Sequence, residues 1–316
     1  RWGNYRTLLD LYMRVLPKDH FRDKPLLRER RVHAGILGNL GNVYRALGRT
    51  SESIGYYAKS LEITRKIGDK RNEGVMLGEI GTAYSILGKI RKAIEYYEKA
   101  LKIAQEIGDR QGEGAKFGNI GLAYYDLGEV RVAIDYYEKA LEIAQEIGDR
   151  QGESVRLGKL GEAYHSQGNV GKAMYCYEKG LKIAQEIGDR QGESAKLGKL
   201  GEVYHAQGNV GRAIEYYEKA LKIAQEIEAS LGESASLGRL GNAYRDLGDA
   251  GKAIGYHEKA LEIAREIGHK LGVCAEFGNL GLAYHGLGEV NKAIECYEKA
   301  LRIAQEIGNR QSEAIG

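Results

Sequence analysis

The chain has 316 residues and a net charge of +3, with 44 glycines, 2 prolines and 3 cysteines. So small a net charge argues against nucleic-acid binding, which depends on neutralising phosphates, and no apolar run approaches the roughly 20 residues needed to cross a bilayer. The cysteines show no paired spacing, which is typical of a reducing compartment, and we therefore expect a cytoplasmic protein.

The first element is a basic segment over residues 1–28. Residues 1–31 carry nine basic and four acidic side chains, whereas the remainder carries 38 and 40. An amphipathic helix is predicted from Tyr5 to Leu16, ending at Pro17, and we expect it to cap the first of the repeats that follow. The chain begins at Arg1 without a methionine, so we expect it to be a piece of a longer protein.

A forty-residue unit then repeats along the chain, and residues 109–148 show its plan. Apolar residues recur at helical spacing in each half of this unit. Gly128 separates the halves and Gly148 closes the second, because glycine readily adopts the left-handed conformation that ends a helix. Asp149 can accept hydrogen bonds from the free amides that open the next helix. Each unit is therefore predicted to be a helical hairpin.

Seven such units occupy residues 29–308, and an eighth is begun and cut off at 309–316. Because each unit packs only on its neighbours, we predict an all-α, right-handed α-solenoid of seven 40-residue helical hairpins. One junction departs from the pattern, since Ile227 to Glu233 reads IEASLGE where other copies read IGDRQGE. Glu228 reaches the left-handed conformation less readily than glycine, so we expect a different turn geometry or a slight break in the superhelix there. The alternative is a local adjustment with no functional meaning.

The unit resembles the tetratricopeptide repeat, whose pattern is W-x2-L-G-x2-Y followed by A-x3-F. The corresponding residues of one unit are Phe117, Ile120, Gly121, Tyr124, Ala133 and Tyr137. The forty-residue length and the missing proline look like two groups, the Pins-type spindle-orientation scaffolds and the repeat arms of STAND-type signalling NTPases. The resemblance implies a TPR-like superhelix in which one stripe of each first helix lines a concave groove that holds a protein or extended peptide.

That stripe is the candidate partner-binding surface, because its residues change from repeat to repeat while the scaffold does not. Most of them are long polar side chains, which suit an extended peptide with donors and acceptors along its backbone. The residues predicted to bind a partner are Asn39, Asn42, Arg45, Asn119, Tyr125, Lys159, Glu162, His165, Lys199, Glu202, His205, Arg239, Asn242, Arg245, Asn279 and His285.

The resemblance to the Pins-type groove makes a more specific suggestion about charge. In that groove, asparagines and arginines hold an extended acidic partner. The residues that match this pattern are Asn42, Arg45, Asn242 and Arg245. Glu162 and Glu202 depart from it and are expected to repel an acidic ligand, so the same partner is not expected.

One place in the stripe is glycine in all seven copies, as at Gly118. Glycine in a helix interior costs about 1 kcal/mol relative to alanine. We therefore expect a compensating close approach of neighbouring first helices. The alternative is that duplication copied a neutral glycine.

No catalytic or metal site is expected from the sequence. His165, His205 and His285 share one place in the repeat, but no HxxxH pair occurs. Neighbouring repeats stand roughly 10 Å apart, too far for two of these histidines to share a metal. No GxxxxGK[ST] phosphate loop is present, and no base, nucleophile and orienting group can be assembled. We therefore expect a chain that is not an enzyme and needs no cofactor.

The predicted function is a protein–protein interaction scaffold, with two alternatives. One is the ligand-sensing arm of a larger STAND-type signalling NTPase. The other is a self-assembling structural array, suggested by the near-identical units. Ile294, Leu301 and Ile307 face the place of an eighth unit, and exposed apolar stripes favour association. We expect weak end-to-end self-association through them.

Overall fold

The fold is taken from a computed structural model, which describes residues 27–315. Within that range the regular secondary structure is α-helical throughout, with fourteen helices and no strand. The prediction of an all-α chain of helical hairpins is confirmed. The predicted capping helix over residues 5–16 lies outside the described residues.

Helices with odd numbers open the seven repeats, and those with even numbers close them. In chain order they are α1 (Leu27–Ala46), α2 (Thr50–Lys66), α3 (Lys70–Ile86), α4 (Ile90–Glu106), α5 (Arg110–Asp126), α6 (Val130–Glu146), α7 (Arg150–Ser166), α8 (Val170–Glu186), α9 (Arg190–Ala206), α10 (Val210–Glu226), α11 (Ser230–Asp246), α12 (Ala250–Glu266), α13 (Lys270–Gly286) and α14 (Val290–Ile315).

The turns between helices form as the glycine spacing predicts. Gly148 has a φ of +69°, and its N–H donates to the carbonyl of Gln145 at 3.2 Å. Asp149 then caps α7, because its carboxylate accepts a hydrogen bond from the Gly152 amide at 2.8 Å. This turn thus satisfies backbone groups at the end of α6 and at the start of α7.

The described residues fall into two compact units, residues 27–148 and residues 149–315. In the first unit α1 to α6 pack as three hairpins, and each hairpin also packs on the next. In the second unit α7 to α14 form four hairpins stacked in the same way, and the first helices of adjacent repeats also touch one another. Within each unit, consecutive hairpins therefore bury each other's apolar faces, as expected of a TPR-like α-solenoid.

Each hairpin is held together by a small residue facing a large one. A Cβ built on Gly121 would lie 2.7 Å from the Tyr137 ring, so only glycine lets that ring pack against α5. Tyr137 is 1% exposed, and Tyr57, Tyr177 and Tyr217 hold the same place at 2% exposure or less. Tyr124, the other large residue of the repeat pattern, is half-buried and stacks on Tyr136.

The Glu228 junction keeps the geometry of the glycine turns. Glu228 has a φ of +53°, and its N–H donates to the Gln225 carbonyl at 3.1 Å. The expectation of a different turn geometry is wrong, because the two flanking helices and their hydrogen bonds hold the glutamate in the left-handed conformation. At the C-terminal end, α14 continues through Gly308 to Ile315.

Candidate partner-binding surface

The first part of the predicted stripe lies on α1 and α3, where its side chains bind one another. The Arg45 guanidinium forms an ion pair with Glu79 on the next first helix, and also donates to the Asn42 amide oxygen at 3.4 Å. The hydroxyl of buried Tyr57 donates to the same Asn42 oxygen at 2.8 Å. The hairpin core and the stripe are thus joined by a hydrogen bond through Asn42.

In the second unit the stripe forms a row of alternating charges across α7, α9 and α11. The Lys159 ammonium lies 2.8 Å from the Glu162 carboxylate, and Glu162 lies 3.9 Å from Lys199. Lys199 pairs with Glu202 at 3.0 Å, and Glu202 pairs with Arg239 at 2.8 Å. We call these five residues the charge ladder.

The charge ladder changes the interpretation of its two glutamates. Glu162 and Glu202 each lie between two cationic groups, so the repulsion expected of two isolated carboxylates is offset. The pairs are part-exposed, with side-chain exposures of 29% for Glu162 and 33% for Glu202. Exposed ion pairs are worth little individually, so an incoming ligand can exchange with them at small cost.

The stripe continues along α11 with a second cluster around Asp246. His205 Nε2 lies 2.9 Å from the Asp246 carboxylate, and the Arg245 guanidinium lies 3.0 Å from the same group. Arg245 also donates to the Asn242 amide oxygen at 3.2 Å. Asp246 and Glu79 are missing from the predicted set. Asp246 directly follows the predicted Arg245, and Glu79 holds in repeat two the place of the predicted Asn39 and Asn119.

The structure does not bring all predicted residues together. Within the described part of the chain, five of them make no hydrogen bond or ion pair to another stripe residue. These are Asn119, Tyr125, His165, Asn279 and His285.

The glycine in the middle of the stripe makes room for a side chain from the next repeat. A Cβ built on Gly38 would lie 3.2 Å from the side chain of Met76. A Cβ built on Gly78 would lie 2.6 Å from the side-chain ammonium of Lys116. Gly158 differs, because nothing lies within 4 Å of such a Cβ. A long side chain of the next repeat therefore packs against Gly38 and Gly78. We expected the neighbouring first helix itself to approach them.

A pocket of about 300 Å³ opens beside Gly158, between α7 and α9. It exists because Lys196, which holds the place of Met76, turns its aliphatic stem toward Gly180. Lys196 is 7% exposed and its ammonium donates a long hydrogen bond of 3.5 Å to the Gly192 carbonyl. Burial lowers the pKa of Lys196, partly offset by Asp189. Three residues of the charge ladder, Lys159, Glu162 and Lys199, line the same pocket.

Two general features of the described residues bear on the kind of site. No group of three or more histidine, cysteine, aspartate or glutamate side chains among residues 27–315 is arranged to hold a metal ion. Of the helices described, none combines the length and the apolar character that a membrane span requires.

Comparison with known proteins identifies the family. A tetratricopeptide repeat model matches residues 33–106, 113–186 and 193–266, and a second model of the same repeat matches residues 275–306. These matches cover most of the chain, which therefore belongs to the tetratricopeptide repeat family. Comparison with curated protein sequences returned no match.

Several solved structures share the fold at low sequence identity. A STAND protein with a tetratricopeptide repeat sensor from Pyrococcus horikoshii is 19% identical with a TM-score of 0.70, over 98% of this chain and 46% of that one. The Rap conjugation gene regulator of plasmid pLS20, solved with the Phr* peptide, is 16% identical with a TM-score of 0.64, over 99% and 87%. BtubC (BKLC) from P. vanneervenii is 23% identical with a TM-score of 0.62, over 69% and 92%.

Proposed function

We propose that this chain is a non-catalytic scaffold that binds an extended peptide, or an extended segment of a protein partner, along the stripe of its first helices. The family supports an interaction role, since tetratricopeptide repeat proteins bind proteins or peptides, and the pLS20 Rap regulator was solved with a peptide. The proposal places the main contacts in the second unit, on the charge ladder and the cluster around Asp246.

The observation that carries the proposal is the charge ladder. Its alternating signs stand on a scaffold whose other positions are nearly copied from repeat to repeat. The ladder residues are roughly one-third exposed, so their donors and acceptors are held in place and remain accessible. Preorganised polar groups lose little entropy on binding, which favours recognition of a chain with matching charges.

The pocket beside Gly158 adds a place for a side chain of the bound peptide. Ligand pockets start at about 300 Å³, and this one reaches that size. It interrupts the stripe between Lys159 and Lys199, so a peptide lying on the ladder would pass over it. A partner side chain seated there would fix the register of the peptide along the repeats.

The test is a binding measurement with a peptide selected on this protein from a random 16-residue library. The double variant Lys199→Ala/Arg239→Ala should weaken its binding by more than tenfold, because charge-assisted hydrogen bonds contribute roughly 1.5–3 kcal/mol each. The matched control is Lys182→Ala/Lys222→Ala, which removes the same charge from exposed positions on α8 and α10. Unchanged binding by the ladder variant, or a library that yields no saturable ligand, would refute the proposal.

A second candidate is the sensing arm of a STAND-type signalling NTPase. The observation in its favour is the likeness in fold to the Pyrococcus horikoshii protein, which spans 98% of this chain. In that case the bound peptide would act as a signal for an attached ATPase. Fusing this chain in place of the repeats of that protein and assaying ATP hydrolysis with the selected peptide would test it, and ATPase activity indifferent to the peptide would exclude it.

A further inference from the structure

A pair of stacked tyrosines recurs against the hairpin cores. One ring comes from the end of the first helix and the other from the second helix of the same repeat. The ring centroids lie 4.8–5.5 Å apart with the ring planes within 27° of parallel. The five pairs are Tyr44–Tyr56, Tyr84–Tyr96, Tyr124–Tyr136, Tyr204–Tyr216 and Tyr244–Tyr256.

Repeat seven keeps the first ring of this pair and lacks the second. Tyr284 stands on α13, but the place of its partner on α14 is taken by Cys296. Cys176 holds the same place in repeat four. Since a thiol is much smaller than a phenol ring, the substitution removes one face of the stack.

The groups that surround the second ring elsewhere remain in repeat seven. A lysine lies beside that ring in other repeats, with Lys139 5.2 Å from the centroid of Tyr136, and Lys299 occupies this place beside Cys296. A glutamate of the preceding repeat also lies near the second hydroxyl. Burial raises the pKa of Tyr256, with smaller contributions from Tyr244 and then from Glu218, and Glu258 holds the place of Glu218 for repeat seven.

A pocket of about 560 Å³ opens where the ring is absent, between α12 and the last hairpin. Tyr284, Cys296, Lys299 and Glu258 line it, and Phe277 contributes an apolar wall. Cys296 is 7% exposed and its thiol makes no hydrogen bond to the described residues, while burial raises its pKa. The pocket thus combines an aromatic face, an ammonium and a carboxylate around a buried, unreactive thiol.

We propose that this pocket binds a tyrosine side chain of a partner protein, which replaces the ring that Cys296 lacks. The incoming ring would stack on Tyr284, the Lys299 ammonium would lie against its face, and its hydroxyl would reach the Glu258 carboxylate. The chemistry distinguishes tyrosine from other residues, since an aliphatic side chain gains neither stacking nor cation–π attraction. Phenylalanine has no hydroxyl to donate to the carboxylate, which would keep only the long hydrogen bond of 3.5 Å from the Tyr284 hydroxyl.

This site is independent of the proposed peptide-binding stripe. It is built from the second helix of repeat six and from both helices of repeat seven, and no ladder residue lines it. A pocket of this volume falls in the range of ligand-binding cavities, about 300–1,000 Å³. An experiment that refutes peptide binding along the stripe would therefore leave tyrosine binding in this pocket untouched, and the reverse also holds.

The first experiment follows the binding of p-cresol, which has the side chain of tyrosine, by NMR titration of the protein. Saturable shifts at Tyr284, Lys299 and Phe277 are expected. The matched compound 4-methylcyclohexanol lacks the aromatic ring and should bind roughly three- to tenfold more weakly. Equal binding of the two compounds, or no saturation with p-cresol, would overturn the proposal.

The second experiment uses variants that copy residues found in other repeats. Cys296→Tyr should fill the pocket with the protein's own ring, abolish p-cresol binding at repeat seven and raise the melting temperature, whereas Cys296→Ala should retain binding there. Tyr256→Cys should open a further site at repeat six and add one bound p-cresol per chain at saturation. If Cys296→Tyr binds p-cresol like the parent chain, the pocket is not the site.

A third experiment tests whether the pocket binds a tyrosine side chain that is part of a polypeptide. The peptide acetyl-Gly-Tyr-Gly-amide should compete with p-cresol, and acetyl-Gly-Leu-Gly-amide should not. Competition by the tyrosine peptide supports a protein partner. Binding of p-cresol without such competition would overturn that assignment.

Discussion

At the scale of single residues, one buried pair stands out from the repeated core. His257 occupies the place of the buried tyrosine, is fully buried, and has its Nδ1 2.7 Å from the Glu276 carboxylate. Its Nε2 has no hydrogen-bond partner among the described residues. The same two places in repeats one and two hold Tyr57 and Met76, an apolar version of the pair.

This pair predicts a non-additive effect on stability. Glu276→Met alone leaves a buried imidazole without its partner and should destabilise the chain by about 3–5 kcal/mol. The double variant His257→Tyr/Glu276→Met recreates the Tyr57–Met76 arrangement, so it should be as stable as the parent or more stable by about 1–4 kcal/mol. Urea unfolding of the parent, both single variants and the double variant measures the coupling.

The matched control makes the reverse exchange, Tyr57→His/Met76→Glu, in the first repeats. It should convert an apolar pair into a polar one and lower stability. Additive effects in the His257–Glu276 cycle would show that the two side chains do not depend on each other.

At the scale of helices and turns, the junction between α10 and α11 lacks both the glycine and the capping aspartate that four other junctions between repeats use. Glu228 adopts a φ of +53°, a conformation that costs a non-glycine residue about 1 kcal/mol or more. Ala229 offers no side-chain cap, whereas Asp189 accepts a hydrogen bond from the Gly192 amide at 2.8 Å. The packing of α10 and α11 therefore holds this junction in a backbone conformation that Glu228 and Ala229 do not favour by themselves.

Restoring the repeated residues should stabilise the junction. Glu228→Gly/Ala229→Asp is expected to raise the free energy of unfolding by about 2 kcal/mol. About half comes from the glycine, which adopts the left-handed conformation without strain, and about half from the new aspartate cap. The reverse exchange at the preceding turn, Gly188→Glu/Asp189→Ala, should lower stability by a similar amount. The melting temperatures of the two variants, compared with that of the parent, measure these effects. If both variants shift the melting temperature in the same direction, the prediction is contradicted.

At the scale of the whole molecule, the last hairpin shows an apolar face that equivalent hairpins bury. Leu301 is 60% exposed, whereas Leu61 and Leu261 in the same place are 7% and 6% exposed. Ile294 is 49% exposed and its counterpart Ile94 is 7% exposed. An uncovered stripe of this kind favours contact with a second apolar surface.

We predict that the 316-residue chain forms weak, concentration-dependent dimers through this face. Ile294→Lys/Leu301→Lys should abolish them, as measured by light scattering over a concentration series. The control Leu231→Lys/Leu271→Lys adds the same charge at two other exposed leucines and should leave association unchanged. A parent chain that stays monomeric at the highest concentration would refute the prediction.

Much of the fold could be predicted from the sequence because its signals are local. Helices and turns follow from contacts between residues a few positions apart, such as the cap that Asp149 makes on Gly152. The small-to-large contact of Gly121 with Tyr137 recurs every forty residues, so one repeat predicts the others. The polar stripe could be listed in the same way, since helical spacing alone places its residues on one face.

What the sequence by itself determined, then, is the hairpin, its period and the stripe, while the tertiary structure decided how side chains meet between repeats. Lys199 and Arg239 bind the same Glu202, although Glu202 and Arg239 are 37 residues apart. Which side chain of the next repeat packs against each stripe glycine likewise depends on the packing between repeats. The same holds for the pocket beside Cys296, which is lined by residues of two repeats. The physical reason is that periodicity fixes where a side chain starts, whereas its rotamer and its partner are settled only when the next hairpin packs against it.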